Sequence, residues 1–233
     1  MRLVRVLAGL GYGSRSEVEA LLRRGRVLDA QGHALAASAE DPGGELFVDG
    51  QALDPRPPLV LLLHKPVGYV CTRAEDEGPT VYELLPPRFA SRRPILATVG
   101  RLDKETSGFL LLTDDGALLH RLTSPRQHLT RHYRVELADP LRGDEAEALR
   151  SGTLMLRGED KPLRPAQVVE LGPTRLRVSV TEGRYHLVRR AFGALGHRGA
   201  SLHREGRAAR RRVAGLRPGP AQVKMICAPS AMS

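Results

Sequence analysis

A carboxylate flanked by two cations is the group in this sequence best placed to do chemistry. Asp103 lies in the polar stretch from Gly100 to Gly108, with Arg101 and Lys104 close beside it. Apolar segments lead in from Ile95 to Val99 and lead out from Phe109 to Leu112, so the turn belongs at the rim of a sheet. Gly100 and Gly108 allow sharp reversals at its two ends. An acid in such a place, with cations that favour its charged form, suits nucleophilic or base chemistry. Asp also caps turns that do no chemistry, and spacing alone does not separate the two readings. Other candidates are poorer. His120, His128 and His132 are irregularly spaced and lack a supporting acid or cysteine, so they form no metal set. Ser107 lacks the strand–turn–helix context of a hydrolase nucleophile. Asp114-Asp115-Gly116 reads as a turn before a helix.

The elements that must hold this acid are drawn from 233 residues, 41% of them hydrophobic, enough for one large unit and a small one. The formal charge of +10 calls for a polyanionic partner. Nucleic acid fits better than lipid, because no amphipathic anchor or lipidation signal accompanies the charge. Only 4% of residues are aromatic and Trp is absent, which argues against a binding sheet built mainly from base-stacking rings. Phosphate and shape contacts should then supply most of the affinity. Cys71 and Cys227 fit neither a metal spacing nor a disulfide framework; they read as buried thiols in a reducing compartment. Arg5 interrupts the apolar start, and the longest apolar run, Leu59 to Leu63, is too short to span a bilayer. The sequence therefore predicts a cytoplasmic protein with no membrane partner.

Leu3, Val6, Leu7 and Leu10 recur with helical spacing, and Gly11 and Gly13 stop that helix. Ser14 opens a second helix through a capping box with Glu17, and Val18, Leu21 and Leu22 form its apolar face. Short strands are predicted at Arg26 to Leu28 and Leu46 to Val48, with a turn at Asp49-Gly50. Arg2, Arg5, Arg15, Arg23, Arg24 and Arg26 crowd this small unit, either as phosphate contacts or as a solvated face. Asp54-Pro55-Arg56-Pro57-Pro58 reads as a stiff extended connection. Strands are predicted at 60–63, 95–99, 109–113, 132–137, 166–171 and 175–180, and helices at 117–122, 144–151 and 186–195. Without regular strand–helix alternation, the pattern fits an α+β domain around a largely antiparallel sheet. The division is 1–54 for the first unit, 55–58 for the linker and 59–233 for the second. Five arginines between Arg204 and Arg212 suggest an exposed RNA-facing loop or strand.

Several motifs then fall in one order. Lys65-Pro66-Val67-Gly68-Tyr69 precedes Gly100-Arg101-Leu102-Asp103, Thr106-Ser107-Gly108, Leu110 to Thr113 and Asp115-Gly116. Thr123-Ser124-Pro125-Arg126 and Tyr133-Arg134-Val135 come next, and Glu182-Gly183-Arg184-Tyr185-His186-Leu187-Val188-Arg189-Arg190 follows. This series resembles the pseudouridine synthases, and within them the branch that modifies ribosomal RNA. Ser124 through Leu137, with Glu159-Asp160-Lys161-Pro162 and the compact first unit, is most similar to the small-subunit (RsuA-type) group. The first unit resembles the RNA-binding module of ribosomal protein S-four type. It departs from that pattern at Val4, where an acid is usual, and at Leu28 to Gly32, where residues are added.

The resemblance implies isomerisation of one specified uridine in ribosomal RNA, within a small-subunit assembly intermediate, by a monomer. No cofactor and no metal is implied, since nothing is oxidised and no group is imported. Asp103 becomes the catalytic acid, because cleavage of the bond from ribose C1′ to base N1 develops positive charge on the sugar. It can stabilise that charge, attack it or remove a sugar proton. Tyr133 would stack on the target base and assist a proton transfer, with a core strand tyrosine as the plain alternative. Arg189 would pair with Asp103 and favour its charged form, while Arg190 would hold a phosphate. Arg101 and Lys104 are expected to touch RNA, as are Arg2, Arg15, Arg23, Arg24 and Arg26. Leu187 stands where the family commonly has glutamine. A large-subunit enzyme, a non-catalytic assembly factor on the same fold and a glycosidase that releases free base are the competing readings.

Overall fold

The computed structural model describes residues 1–73, 77–124, 129–206 and, as backbone alone, 222–227. The chain opens with α1 (Leu3–Gly9) and α2 (Arg15–Arg23), followed by a small antiparallel sheet of β1 (Val27–Asp29), β2 (Leu46–Val48) and β3 (Gln51–Ala52). The predicted capping box closes at both ends: the Ser14 N–H donates to Glu17 Oε2 at 2.6 Å, and Glu17 N–H to Ser14 Oγ at 3.4 Å. Leu3, Leu7, Val18, Leu22, Val27, Leu46 and Val48 form this unit's own apolar cluster.

The stretch read as a stiff extended connection is held on several sides. Buried Asp54 is bridged by the Arg88 guanidinium and takes a hydrogen bond from the Tyr12 hydroxyl. Arg56 pairs with Asp41, and the Pro55 carbonyl accepts from buried Arg92. Gly11, at φ +90°, brings its backbone hard against that of Arg88. The first unit thus sits on the second through a polar seam.

The large sheet runs β11–β4–β6–β10–β7–β9–β8, with β5 paired to β6. Its strands are β4 (Leu59–Lys65), β5 (Ala97–Thr98), β6 (Thr106–Thr113), β7 (Arg131–Glu136), β8 (Gln167–Gly172), β9 (Arg175–Val180), β10 (Ser201–Glu205) and β11 (Gln222–Cys227). Pairing is antiparallel except at β10–β6 and β11–β4. Helices α3 (Pro87–Ala90), α4 (Gly116–Thr123), α5 (Glu145–Ser151) and α6 (Leu187–Ala194) complete the described elements. The expectation of an α+β fold around a mixed, mainly antiparallel sheet holds.

Alternation along the strands sends Leu59, Leu61, Leu63, Leu110 and Leu112 into one cluster, and Val135, Leu176, Val178 and Leu202 into a second with α6. The opposite face of β4 and β6 carries Val60 and Leu111 beneath α4. Asp115 caps α4, accepting from the N–H groups of Ala117 and Leu118 at 2.9 and 3.0 Å. Asp114 reaches back to the Leu59 N–H at 2.7 Å, so the turn before the helix also fixes the start of β4.

At α5, Glu145 is buried and accepts from the N–H groups of Arg142 and Gly143 at 2.9 and 3.0 Å, and from His197 Nε2 at 2.6 Å. Burial pushes its carboxyl up, but these donors outweigh it and bring the pKa down to about 2. Its contribution to stability is therefore full above the unfolded value near 4.5 and is lost as pH falls toward 2. Glu145→Gln should remove on the order of 2 kcal/mol of stability at pH 7 and flatten the acid limb. Urea unfolding at pH 7 and pH 3 checks this; equal losses at both would exclude the linkage.

Candidate active site

Register places one row of residues across the sheet: Lys65 on β4, Gly108 on β6, Arg204 on β10, Tyr133 on β7 and Val178 on β9. The turn bearing Asp103 enters β6 at one end of this row. Lys65 is fully buried, and its ammonium donates to the carbonyls of Pro66 (2.9 Å), Lys104 (3.1 Å) and Thr106 (2.8 Å). The Lys104 carbonyl also accepts from Gly68 N–H at 2.8 Å, and Thr106 N–H closes on the Asp103 carbonyl at 3.0 Å. Leu102 anchors the near side in the core, its N–H on the Cys71 sulfur at 3.4 Å. The backbone of the turn is thus fixed from several directions while the Asp103 side chain stays 30% exposed.

Burial pushes the Lys65 ammonium down, offset by Cys71, Glu105 and Asp103. Lys65→Met keeps the length but removes the ammonium from three carbonyls, of which that of Lys104 keeps its bond from Gly68 N–H. We expect about 2 kcal/mol lost in stability and any reaction carried by the Asp103 turn slowed at least about tenfold. Thermal melts and single-turnover assays read the two effects separately; unchanged turnover in a folded variant would deny the lysine its positioning role.

The carboxylate has a different partner from the one expected. His186, the residue before α6, adopts a left-handed conformation (φ 48°, ψ 32°) and places Nε2 3.3 Å from Asp103 Oδ1. Arg189 lies one turn further along and donates instead to the Glu105 backbone carbonyl at 3.0 Å. It braces the turn rather than pairing with the acid. Among the described residues Asp103 Oδ2 makes no hydrogen bond or ion pair.

Tyr133 packs at the seam between the two main clusters, touching both. Beside it Arg204 is half-buried; burial pushes its guanidinium down, with Tyr133 acting in the opposite sense. The Cys71 thiol is pushed up by burial, and the Leu102 N–H, Lys65, Arg101 and Arg204 oppose that rise. Arg131 also faces Arg204, and its guanidinium rests against Gly183. The floor of the site is therefore cationic around one acid, which suits a polyanionic ligand.

The remaining predicted contacts divide. Arg101 is exposed beside the acid, and Lys104 is exposed with Nζ on the Glu77 carbonyl at 3.3 Å. Arg190 is not free for a phosphate: it pairs with Glu159 at 2.7 Å and donates to the carbonyls of Arg157 and Tyr185. Arg26 is likewise held by both oxygens of Asp49 at 2.5 and 2.6 Å. Arg2, Arg15, Arg23 and Arg24 are exposed on the first unit. Arg204 lies in a strand, one of the two forms expected, but is half-buried rather than exposed, while Arg207 to Arg212, Pro125, Arg126 and His128 fall outside the described residues. Leu187 is buried in the core with α6. Sequence reasoning missed the parts of Lys65 and His186, although both stand in motifs already noted.

Residues 59–194 match the family described as RNA pseudouridylate synthase. The chain belongs to this family. It is therefore an RNA-modifying isomerase, and Asp103, Tyr133 and Arg189 all lie inside the matched span. The pseudouridine synthase is 37% identical over 211 residues to ribosomal small subunit pseudouridine synthase A of Pasteurella multocida, covering 88% of this chain and 87% of the relative. It is 39% identical over 207 residues to the protein of the same name from Yersinia pestis, with coverage of 88% and 86%. A solved structure described as a pseudouridylate synthase superposes with a TM-score of 0.58 at 34% identity, covering 88% of this chain and 87% of that one.

Proposed function

We propose that this synthase converts one uridine of small-subunit ribosomal RNA to pseudouridine, with Asp103 acting at the sugar. The observation that carries the chemistry is the Asp103 turn, a rigid backbone presenting a reachable carboxylate on a cationic floor. The choice of RNA is supported by the named activity of relatives matching 88% of the chain.

In this reading the uridine is extruded into the site, and the bond from C1′ to N1 breaks with positive charge developing on the sugar. Asp103 faces that charge, with His186 holding Oδ1 and Oδ2 left for the substrate. The base turns and rejoins through C5. C5 gives up its proton as N1 gains one, so the composition is unchanged. Tyr133 stacks on the base and its hydroxyl assists the proton transfer. Arg189 holds the turn, and Arg101 and Lys104 meet the RNA around the acid.

We assign residues 1–54 as an RNA-binding module of the S-four type, 55–58 as the connection and 59–233 as the catalytic domain. The exposed arginines of α1 and α2 and their flanks bind phosphates of a small-subunit assembly intermediate, and the protein acts as a cytoplasmic monomer. Among the described residues no helix is long and apolar enough to cross a membrane. Pseudouridine mapping of ribosomal RNA from cells lacking the protein tests this reading. Loss of one small-subunit site is expected. Loss in the large subunit would keep the reaction and change the substrate; no change anywhere would favour a non-catalytic RNA-binding protein.

A further inference from the structure

Tyr185 is 74% exposed, an unusual state for a large ring beside a catalytic acid. Its ring lies flat on that of His186, with centroids 3.7 Å apart and planes 21° from parallel. The same His186 contacts Asp103 at 3.3 Å. One face of the tyrosine is therefore covered and the other looks outward at the rim of the site.

The segment carrying it is braced. Arg184 pairs with Glu182 at 2.9 Å and donates to the carbonyls of Lys161 and Pro162 at 2.8 and 2.7 Å. Arg190 donates to the Tyr185 carbonyl at 3.3 Å while paired to Glu159. A ring held this way loses little freedom on binding, and a flat apolar face open to water gains when covered by a flat partner.

We infer that the free face of Tyr185 is a stacking platform for an RNA base next to the extruded uridine. This rests on the functional reading above. The ring is joined to the acid through His186, so a base on its free face lies next to the position of the extruded uridine. Stacking is tolerant of base identity, so the platform steadies the strand without reading its sequence.

The test uses the full chain with Tyr185→Leu, which removes the flat ring but keeps an apolar side chain, and Tyr185→Phe, which keeps the ring. Two readouts are taken: pseudouridine formation on the RNA identified by mapping, and quenching of a short single-stranded oligouridine that carries one 2-aminopurine. The leucine variant should need about tenfold more RNA for half-maximal rate, with its saturated single-turnover rate changed less than threefold. It should fail to quench the probe, while the phenylalanine variant behaves as wild type on both counts. Wild-type affinity and quenching in the leucine variant would overturn the inference, as would a failure of the phenylalanine variant to restore them. Tyrosine-dependent quenching by a wild-type protein that forms no pseudouridine would overturn the functional reading and leave the platform standing.

Discussion

Asp103→Asn is expected to abolish pseudouridine formation, with single-turnover rates reduced about a thousandfold or more. The amide keeps the shape and can still accept a hydrogen bond from His186 through its oxygen. It carries no charge, cannot attack C1′ and cannot take a proton. The Asp103 backbone is fixed by its carbonyl's bond from Thr106 and by neighbouring contacts that do not involve the side chain. The fold should therefore be unchanged, and the dissociation constant for RNA should stay within about threefold, as expected of an affinity supplied by phosphate contacts. Rapid-quench assays and filter binding on one preparation separate the two quantities. A variant retaining a tenth of wild-type turnover would remove Asp103 from the chemistry.

The second large effect comes from a residue with no side chain. Gly108 sits at φ +112°, and a Cβ there would overlap the Arg204 carbonyl oxygen and stand 2.7 Å from its nitrogen. Both atoms are backbone, so the conflict cannot be relieved by a rotamer. Gly108→Ala must separate β6 from β10 and disturb the row that holds Lys65, Arg204 and Tyr133. We expect at least about 3 kcal/mol of destabilisation, a large share of the typical total for a domain. Gly116→Ala is the control, because nothing lies within 4 Å of its Cβ direction. It should change stability by less than about 0.5 kcal/mol. Equal urea midpoints for the two variants would show that β6 and β10 tolerate a wider spacing.

Much of the framework was legible because its signals are local. The strands expected at 132–137 and 175–180 form at Arg131–Glu136 and Arg175–Val180, where alternation is clean. The helix expected at 117–122 forms at Gly116–Thr123 behind its aspartate cap. The Ser14–Glu17 box could be read directly, since both partners lie within one turn.

What escaped was choice of partner. Arg189 stands where an ion pair with Asp103 is reasonable, yet a left-handed residue three positions earlier gives His186 that contact and turns Arg189 to a backbone carbonyl. Arg190 and Arg26 looked like free cations until Glu159 and Asp49 came alongside. Lys65 follows an apolar run, and nothing near it in sequence reveals that its carbonyl acceptors at Lys104 and Thr106 arrive some forty residues later. Charges declare their partners only after the chain has folded, whereas apolar periodicity declares itself in a window of a few residues.

The position of β10 has a consequence for when the enzyme comes alive. Residues 201–205 insert between β6 and β7, strands made some seventy to one hundred residues earlier. During synthesis, the Asp103 turn and Tyr133 emerge well before the strand that joins their supports. Until β10 has been made, a gap stands between β6 and β7. The chain would thus leave the ribosome inert for most of its synthesis, and reactivity would itself report that the sheet has closed.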